Sequence, residues 1–186
     1  MKRVFDFIVS LFALIILSPL FLAVSVLILA WDGAPVLFRQ ERVGKGGKLF
    51  TVYKFRTMRN GIGDVATADL DDADSKITRT GRFLRSTSID ELPQLFNILN
   101  GTMSLVGPRP LIPAEKEIHE LREKYGVYSV TPGMTGWAQV NGRDNITNEK
   151  KALLDKEYVD KQSFKFDLKI LFMTVVKVLK RADIKG

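Results

Sequence analysis

Asp90 and Glu91 stand side by side at the start of a predicted helix, and this carboxylate pair is the strongest sign of chemistry in the sequence. Apolar residues follow at helical spacing, Pro93 is tolerated in a first helical turn, and Gly101 can end the helix. Free backbone N–H groups at a helix N-terminus stabilise carboxylates and attract phosphate oxygens. From this stretch alone a structural role also stays open, in which Ser88 or Asp90 caps the helix.

Basic residues surround the pair in the sequence and favour the chemical role. Arg85 precedes it in an arginine-rich stretch, and Arg109 follows it in the proline-rich turn 104–110. Lys54 and Arg56 share one face of a predicted strand, which could point at an anion or at solvent. Because guanidinium groups match phosphate geometry, carboxylates framed by arginines indicate phosphate chemistry.

Composition narrows the remaining options. The 186 residues suit one catalytic unit with an accessory segment, and the net charge of +7 suits nucleic acid, an anionic membrane surface or a polyphosphate substrate. The chain has no cysteine and a single histidine. Disulfides, thiolate nucleophiles and Cys-ligated zinc are excluded, and a histidine-based metal site or triad is disfavoured. We expect His119 on a solvated helix face.

The segment from Phe7 to Trp31 carries no charge and is predicted to enter a membrane. As a straight helix it would measure about 37 Å, enough to cross a hydrocarbon core of about 30 Å. However, Pro19 should kink the helix, and the Ser18 hydroxyl can satisfy a freed carbonyl. Basic residues flank both ends, which places both on the cytoplasmic side. These features favour a re-entrant helix broken at Ser18-Pro19 over a single span, which remains the alternative.

The rest of the chain predicts an α+β fold that is mostly helical, with no large sheet. Residues 34–44 and 48–58 form a predicted β-hairpin, and the acidic stretch 60–75 is predicted to be a mobile loop. The glycine-rich stretch 131–143 is predicted to be a structured loop around Trp137 without a regular element. The remaining predicted helices cover 113–125, 147–160 and 164–181. The last of them is amphipathic and suits either a membrane interface or a protein core.

Six motifs taken in order resemble those of the bacterial sugar transferases, the monotopic polyprenyl-phosphate phosphoglycosyl transferases. They are Arg3 with Asp6, Ser18-Pro19, 53–58, 90–97, 104–110 and 132–143. The resemblance covers nearly the whole chain, and the motifs are long. Arg56 stands where many members have lysine, which keeps the positive charge.

The resemblance implies transfer of a phospho-sugar from a UDP-sugar to polyprenyl phosphate, usually undecaprenyl phosphate, with release of UMP. In the family the aspartate of the Asp-Glu pair attacks the β-phosphate and carries the phospho-sugar until the lipid phosphate takes it. Asp90 matches that nucleophile and Glu91 its partner. A carboxylate is a competent covalent nucleophile, and Mg²⁺ is expected to bridge Asp90, Glu91 and the diphosphate. Lys54, Arg85 and Arg109 are the predicted phosphate-binding residues.

The resemblance also implies a location and a domain plan. Residues 1–33 form the expected re-entrant membrane helix, and residues 34–186 form a cytoplasmic catalytic domain that includes the amphipathic helix 164–181. The protein is expected to be monotopic, on the cytoplasmic face of the bacterial inner membrane, in contact with membrane lipids and without a larger multi-span N-terminal region. Association into a homodimer is a further expectation. Trp137, Gln139 and Arg143 are candidates for the donor pocket.

Two rival functions use the same residues. A non-catalytic membrane-surface module would bind anionic lipid and use the Asp-Glu pair only to cap a helix. A Mg²⁺-dependent phosphohydrolase acting on polyprenyl diphosphates would direct water at phosphorus with the same groups. Nucleic acid is not an expected partner, since no recognition module is present and the basic residues lie beside apolar segments.

Overall fold

The computed structural model describes residues 1–59, 73–142 and 146–179. The fold is α+β and mostly helical, as predicted. The helices are α1 (Lys2–Trp31), α2 (Ala73–Lys76), α3 (Arg79–Ser86), α4 (Gln94–Asn100), α5 (Lys116–Lys124), α6 (Trp137–Val140), α7 (Asn148–Lys161) and α8 (Phe164–Leu179). The strands are β1 (Leu37–Val43), β2 (Leu49–Phe55), β3 (Ser104–Val106) and β4 (Gly133–Thr135). Most of the predicted acidic loop 60–75 lies outside the described residues, and its last part begins α2.

The first helix is assigned as continuous through Pro19. Proline has no N–H, so the Ile15 carbonyl one turn earlier loses its usual donor. The Ser18 hydroxyl donates to that carbonyl at 2.8 Å, as the sequence predicted. Within the described ranges, α1 alone has the length and apolar composition of a membrane-crossing helix.

Polar contacts attach the N-terminal end of α1 to the rest of the protein. Lys2 forms an ion pair with Asp167 of α8 at 2.7 Å. Arg3 donates to the carbonyls of Ile98 and Leu99 at the C-terminal end of α4, the latter at 2.7 Å. This end of α1 therefore fixes both α8 and the helix that follows the carboxylate pair.

The C-terminal end of α1 is attached in a similar way. The buried guanidinium of Arg56 donates to the carbonyls of Asp32 and Gly33 at 2.7 and 2.6 Å. These carbonyls lie at the helix end, where acceptors lack partners within the helix. Thr78 also donates to the Asp32 carboxylate at 3.0 Å. Arg56 thus serves the end of α1, whereas Lys54 faces the carboxylate pair.

Apolar side chains cover the outer faces of α1 and α8. The face of α1 toward the protein buries the polar residues Asp6 and Ser10 in its first half and the apolar residues Val24 and Ile28 in its second, whereas more than half of its apolar residues are exposed. So large an exposed apolar surface is unusual for a water-soluble protein and typical of a surface that contacts a membrane or a partner. The most exposed apolar side chains of the two helices are Val4, Phe12, Ile15, Ile16, Leu22, Val26, Trp31, Phe172 and Val175.

The sheets are small, and one of them was not predicted. Strands β1 and β2 pair antiparallel, from Leu37 opposite Phe55 to Val43 opposite Leu49, which confirms the hairpin. Strands β3 and β4 pair in parallel. The prediction of no regular element in 131–143 is therefore wrong, since β4 and α6 lie there. The glycines allow the two backbones to approach closely instead of preventing pairing.

The core lies where α4, β2, β3, α7 and α8 meet. Leu95, Ile98, Val106, Tyr158 and Ile170 are buried together there. A smaller cluster packs the second half of α1 against the hairpin and α3. These two clusters position α3 and α4, which flank the carboxylate pair, against the membrane-like helix.

His119 differs from its predicted place on a solvated face. The side chain is half-buried, with Nε2 2.8 Å from the Ile112 carbonyl oxygen and Nδ1 in contact with the Tyr128 hydroxyl. The helical period placed the residue on the polar side of α5. The chain on either side of α5 folds back over it and supplies the partners, which helical spacing does not predict.

Candidate active site

Glu91 lies at the centre of a cluster of opposite charges. Lys54 Nζ donates to its Oε1 at 2.8 Å, and Arg109 Nη2 donates to the same oxygen at 2.7 Å. The Glu91 side chain is only 14% exposed. Burial alone would raise the pKa of Glu91, but Arg109 and Lys54 hold it well below its usual range. Glu91 is therefore ionised at neutral pH and fixes two cations beside Asp90.

Asp90 has a different environment from its neighbour. Its residue surface is 9% exposed, and within the described part of the chain its carboxylate accepts no hydrogen bond. Burial raises the pKa of Asp90, which Lys54, Arg85 and Arg109 oppose and Glu91 reinforces. Among the described residues, the site thus holds the Glu91 carboxylate in ion pairs and gives the Asp90 carboxylate no hydrogen-bond donor. The Asp90 carboxylate is the better placed of the two to react with an incoming electrophile.

The backbone at the pair differs from the predicted helix start. Ser88 adopts a left-handed conformation with φ of 56°, residues Ile89–Glu91 form a 3-10 turn, and α4 begins only after Pro93. In the part of the chain that the structure describes, neither Ser88 nor Asp90 caps a helix through its side chain. The capping prediction is therefore wrong.

The reason lies in the backbone hydrogen bonds of the turn. The N–H of Glu91 donates to Ser88 O at 3.3 Å, and the N–H of Leu92 donates to Ile89 O at 3.1 Å. These 3-10 bonds use donors that a simple helix start would leave free. Charge stabilisation at the pair consequently comes from Lys54 and the arginines and not from a side-chain cap.

Arg85 reaches the site from the last turn of α3. Its Nε donates to the Thr57 hydroxyl at 2.9 Å, directly after β2. Gly81 makes this approach possible, because a Cβ there would lie 2.0 Å from the Thr57 carbonyl oxygen. Thr78 caps α3 by accepting from the Gly81 N–H at 2.8 Å. The glycine and the cap together set the position of Arg85 relative to Asp90.

Arg109 extends from the loop after β3, which is held by a close backbone contact. Gly107 N donates to Thr135 O at 2.8 Å, and Gly133 N donates to Pro108 O at 3.0 Å. A Cβ on Gly133 would lie 2.0 Å from Gly107 N. The two glycine-containing motifs are therefore adjacent, and their glycines serve backbone contact.

Asn97 is a site-positioning residue that the sequence analysis missed. It is 1% exposed on α4. Its Nδ2 donates to Thr51 O at 2.7 Å, and its Oδ1 accepts from Tyr53 N at 3.1 Å. These contacts fix the backbone of β2 on both sides of Val52, directly before the Tyr53-Lys54 peptide. The available signal was an asparagine within an otherwise apolar helical pattern.

The predicted donor-pocket residues show a different set of contacts. Trp137 Nε1 donates to Glu157 at 2.9 Å, and its ring packs 5.0 Å from that of Phe166. Gln139 Nε2 donates to Met134 O at 3.2 Å, while its Oε1 is buried and accepts no hydrogen bond among the described residues.

The predicted site residues therefore divide into two groups. The structure brings Lys54, Arg85, Asp90, Glu91 and Arg109 together. In the described ranges no contact joins Trp137 or Gln139 to the carboxylate pair, and Arg143 lies outside those ranges.

Proteins with similar sequences are named as sugar transferases or sugar phosphotransferases. The uncharacterized sugar transferase EpsL of Bacillus subtilis (strain 168) is 46% identical over 182 residues, which cover 96% of this chain and 87% of that protein. The UDP-glucose:undecaprenyl-phosphate glucose-1-phosphate transferase of Escherichia coli (strain K12) is 40% identical, over 95% of this chain and 40% of its own length. The undecaprenyl-phosphate galactose phosphotransferase of Salmonella typhimurium (strain LT2) is 40% identical, over 97% of this chain and 41% of its own length.

The chain thus spans most of the Bacillus protein and less than half of the other two. The family model described as bacterial sugar transferase matches residues 1–181. Since that match extends from the membrane-like helix through α8 and includes every residue of the charged cluster, the chain belongs to the bacterial sugar transferase family.

Proposed function

We propose that this protein transfers a sugar-1-phosphate from a UDP-sugar to polyprenyl phosphate, in bacteria undecaprenyl phosphate, as the first membrane step of glycan assembly. The observation that carries the proposal is the Asp90 carboxylate, which lies among Lys54, Arg85 and Arg109 and accepts no hydrogen bond from any described residue. The named substrates of the Escherichia coli and Salmonella relatives support it. Three cations around two carboxylates suit a substrate that brings a diphosphate.

The proposed chemistry has two displacements at phosphorus. An Asp90 oxygen attacks the β-phosphorus of the UDP-sugar, the bond to the bridging oxygen breaks, and UMP leaves with that oxygen. The phospho-sugar is then held on Asp90 as an acyl phosphate. An oxygen of polyprenyl phosphate next attacks the same phosphorus, the aspartyl oxygen leaves, and the product is a polyprenyl diphospho-sugar. The enzyme returns to its starting state with an ionised Asp90.

The charged cluster suits both steps. Lys54 and Arg109 offset the phosphate charge that would repel an anionic nucleophile, and Glu91 holds them in place in the absence of substrate. Arg85 approaches Asp90 from the last turn of α3. Because UMP departs before the lipid phosphate attacks, soluble and lipid substrates can use the same site in turn. Ping-pong kinetics are therefore expected.

We further propose that Asp90 and Glu91 hold Mg²⁺. The donor set fits, since Mg²⁺ commonly binds one or two carboxylates and completes its shell with waters and substrate phosphates. Within the described residues no cluster of three or more acidic or histidine side chains offers a site made of protein ligands alone. When bound, Mg²⁺ would neutralise charge on the diphosphate. Glu91 Oε2 is the less engaged oxygen of that residue, with Arg109 Nη1 at 3.5 Å.

We also propose that α1 is re-entrant and that the protein is monotopic on the cytoplasmic face of the bacterial cell membrane. Support comes from the two ends of α1, both of which bond to the globular part, through Lys2 with Asp167 and through Arg56 with Asp32 and Gly33. A helix crossing about 30 Å of hydrocarbon would separate its ends onto opposite sides. The exposed apolar side chains of α8 fit an interfacial helix beside it.

The topology can be tested with single cysteines, since the chain has none of its own. Val4→Cys and Lys45→Cys place a thiol at an exposed position before and after the apolar segment. In inside-out membrane vesicles, a membrane-impermeant maleimide should label both variants. In right-side-out vesicles it should label neither. Labelling of one variant from each side would mean that α1 spans the membrane.

The donor pocket and the assembly state complete the proposal. We assign Trp137, Gln139 and Arg143 to the donor pocket. The buried Oε1 of Gln139, which accepts no hydrogen bond among the described residues, supports a polar ligand there. We also propose a homodimer. Cross-linking in membranes tests the dimer, and a donor preference altered by Gln139→Leu tests the pocket.

The activity itself is tested with a panel of UDP-sugars, Mg²⁺ and undecaprenyl phosphate. The proposal predicts UMP release coupled to a lipid-linked diphospho-sugar, and loss of both in Asp90→Asn. Asp160→Asn, at an exposed residue of α7, is the matched control and should retain activity. Release of inorganic phosphate from a polyprenyl diphosphate without an acceptor would instead favour a hydrolase. Membrane binding without turnover of any donor would favour a binding module.

A further inference from the structure

A buried ion pair lies behind the charged cluster and has no part in the chemistry described above. Arg122 of α5 and Asp155 of α7 are 3% and 1% exposed. Nε and Nη2 of Arg122 donate to Asp155 Oδ2 at 2.9 and 2.5 Å. Burying two charges is costly, and an apolar pair of similar volume often supports a fold equally well. The pair therefore calls for an explanation other than stability.

The third nitrogen of the Arg122 guanidinium suggests an explanation for the buried pair. Nη1 donates to the backbone carbonyl of Arg109 at 2.8 Å. Arg109 lies between Pro108 and Pro110. Because Pro110 has no N–H, the peptide that joins Arg109 to Pro110 can be fixed by a hydrogen bond only through the Arg109 carbonyl. The carbonyl bonded by Arg122 belongs to the residue whose side chain binds Glu91.

We propose that Arg122, oriented by Asp155, is a positioning residue that sets where the Arg109 guanidinium lies relative to the carboxylate pair. This inference rests on the proposed function for its effect on turnover. A planar guanidinium can bond Asp155 through one edge and the Arg109 carbonyl through its remaining branch. A lysine ammonium could pair with Asp155, but it lacks that fixed fork geometry.

The test variant removes both charges together. Arg122→Met alone would leave Asp155 buried without its cation and would unfold part of the protein. Arg122→Met/Asp155→Leu approximately keeps the packed volume and leaves no unpaired charge, while it removes the bond to the Arg109 carbonyl and the interaction of Arg122 with the Tyr128 hydroxyl. Lys156→Met/Asp160→Leu makes the same changes at an ion pair of α7 with side chains 41% and 56% exposed. This control should keep parental turnover and parental melting temperature.

The turnover of the buried-pair variant should fall by about tenfold to a hundredfold, since small misplacements of a charge at a reacting centre have effects of this size. The discriminating result is coupling with Arg109→Ala. In the parent this substitution should lower turnover strongly, whereas in the variant it should add less than about threefold, because Arg109 is already displaced. If Arg109→Ala lowers turnover by the same factor in the parent and in Arg122→Met/Asp155→Leu, the proposal is overturned.

A second readout does not depend on transferase activity. The guanidinium of Arg109, labelled with ¹⁵N and ¹³C and assigned by its loss in Arg109→Lys, should give a shifted signal in Arg122→Met/Asp155→Leu. Arg122→Lys retains a partner for Asp155 and should shift the same signal even if the double variant does not fold. A parental Arg109 signal in a folded variant would contradict the positioning role. Shifted signals in a protein without transferase activity would refute only the proposed function.

Discussion

Replacing Asn97 with leucine is expected to loosen the contact between α4 and β2 that fixes the strand carrying Lys54. Asn97 is almost fully buried, and its side chain bonds the Thr51 carbonyl at 2.7 Å and the Tyr53 N–H at 3.1 Å. Leucine has a similar volume but neither donor nor acceptor. The substitution therefore leaves two backbone groups of β2 without partners.

The magnitude follows from those two groups. A partly buried polar group left without its hydrogen bond costs about 1–2 kcal/mol, so the free energy of unfolding should fall by about 2–4 kcal/mol. For a domain of this size each kcal/mol lowers the melting temperature by about 2–4 °C. The expected decrease is therefore about 4–16 °C. The rate of sugar-phosphate transfer, measured at temperatures below the new melting temperature, should also be lower, because Lys54 is held less firmly against Glu91.

The assay is thermal unfolding of the protein in lipid nanodiscs, followed by circular dichroism and tryptophan emission. Asn100→Ala is the control on the same helix, because Asn100 is exposed and, among the described residues, its side chain bonds only Thr102 in the adjacent turn. Its effect should stay below about 1 kcal/mol. If Asn97→Leu lowers the melting temperature no more than Asn100→Ala does, the reasoning about β2 is refuted.

Three further predictions concern the site. Gly81→Ala should lower the melting temperature and turnover together, because its Cβ would lie 2.0 Å from the Thr57 carbonyl oxygen; overpacking of this kind costs about 1–3 kcal/mol, and unfolding curves measure it. Lys54→Met should move the acid limb of the pH–rate profile to higher pH, since Lys54 lowers the pKa of Asp90; an unmoved limb would contradict this. The depressed pKa of Glu91 contributes stability that is fully present above the pKa of glutamate in the unfolded chain and is lost as the pH falls through the pKa of Glu91 in the folded protein. Glu91→Gln should therefore make the free energy of unfolding depend less on pH in the acid range.

The sequence predicted those features that depend on local spacing. The apolar segment, the hairpin and the helices α5, α7 and α8 follow from the period of apolar residues, and the Ser18 bond to the Ile15 carbonyl follows from Pro19 beside it. The prediction that the carboxylate pair and the arginines act together was based on residue types that bind phosphate. The structure places those residues within one charged cluster.

Features that depend on distant residues were not predictable from spacing. The parallel contact of β3 with β4 requires two backbones to meet at Gly107 and Gly133, and the glycines alone suggested a loop. The bond from Arg122 to the Arg109 carbonyl joins α5 to a loop through a guanidinium that helical spacing does not single out. In both cases the tertiary partner decides the role, and helical or strand period carries no signal for it.

The most direct test of the account is a search for the covalent intermediate. The purified protein is incubated with Mg²⁺ and each UDP-sugar without lipid acceptor, and intact mass with peptide mapping is used to look for a phospho-sugar on Asp90. The account predicts an adduct at Asp90 that undecaprenyl phosphate discharges and that Asp90→Asn does not form. UMP release that survives Asp90→Asn, with no adduct in either protein, would contradict the assignment of Asp90 as the nucleophile.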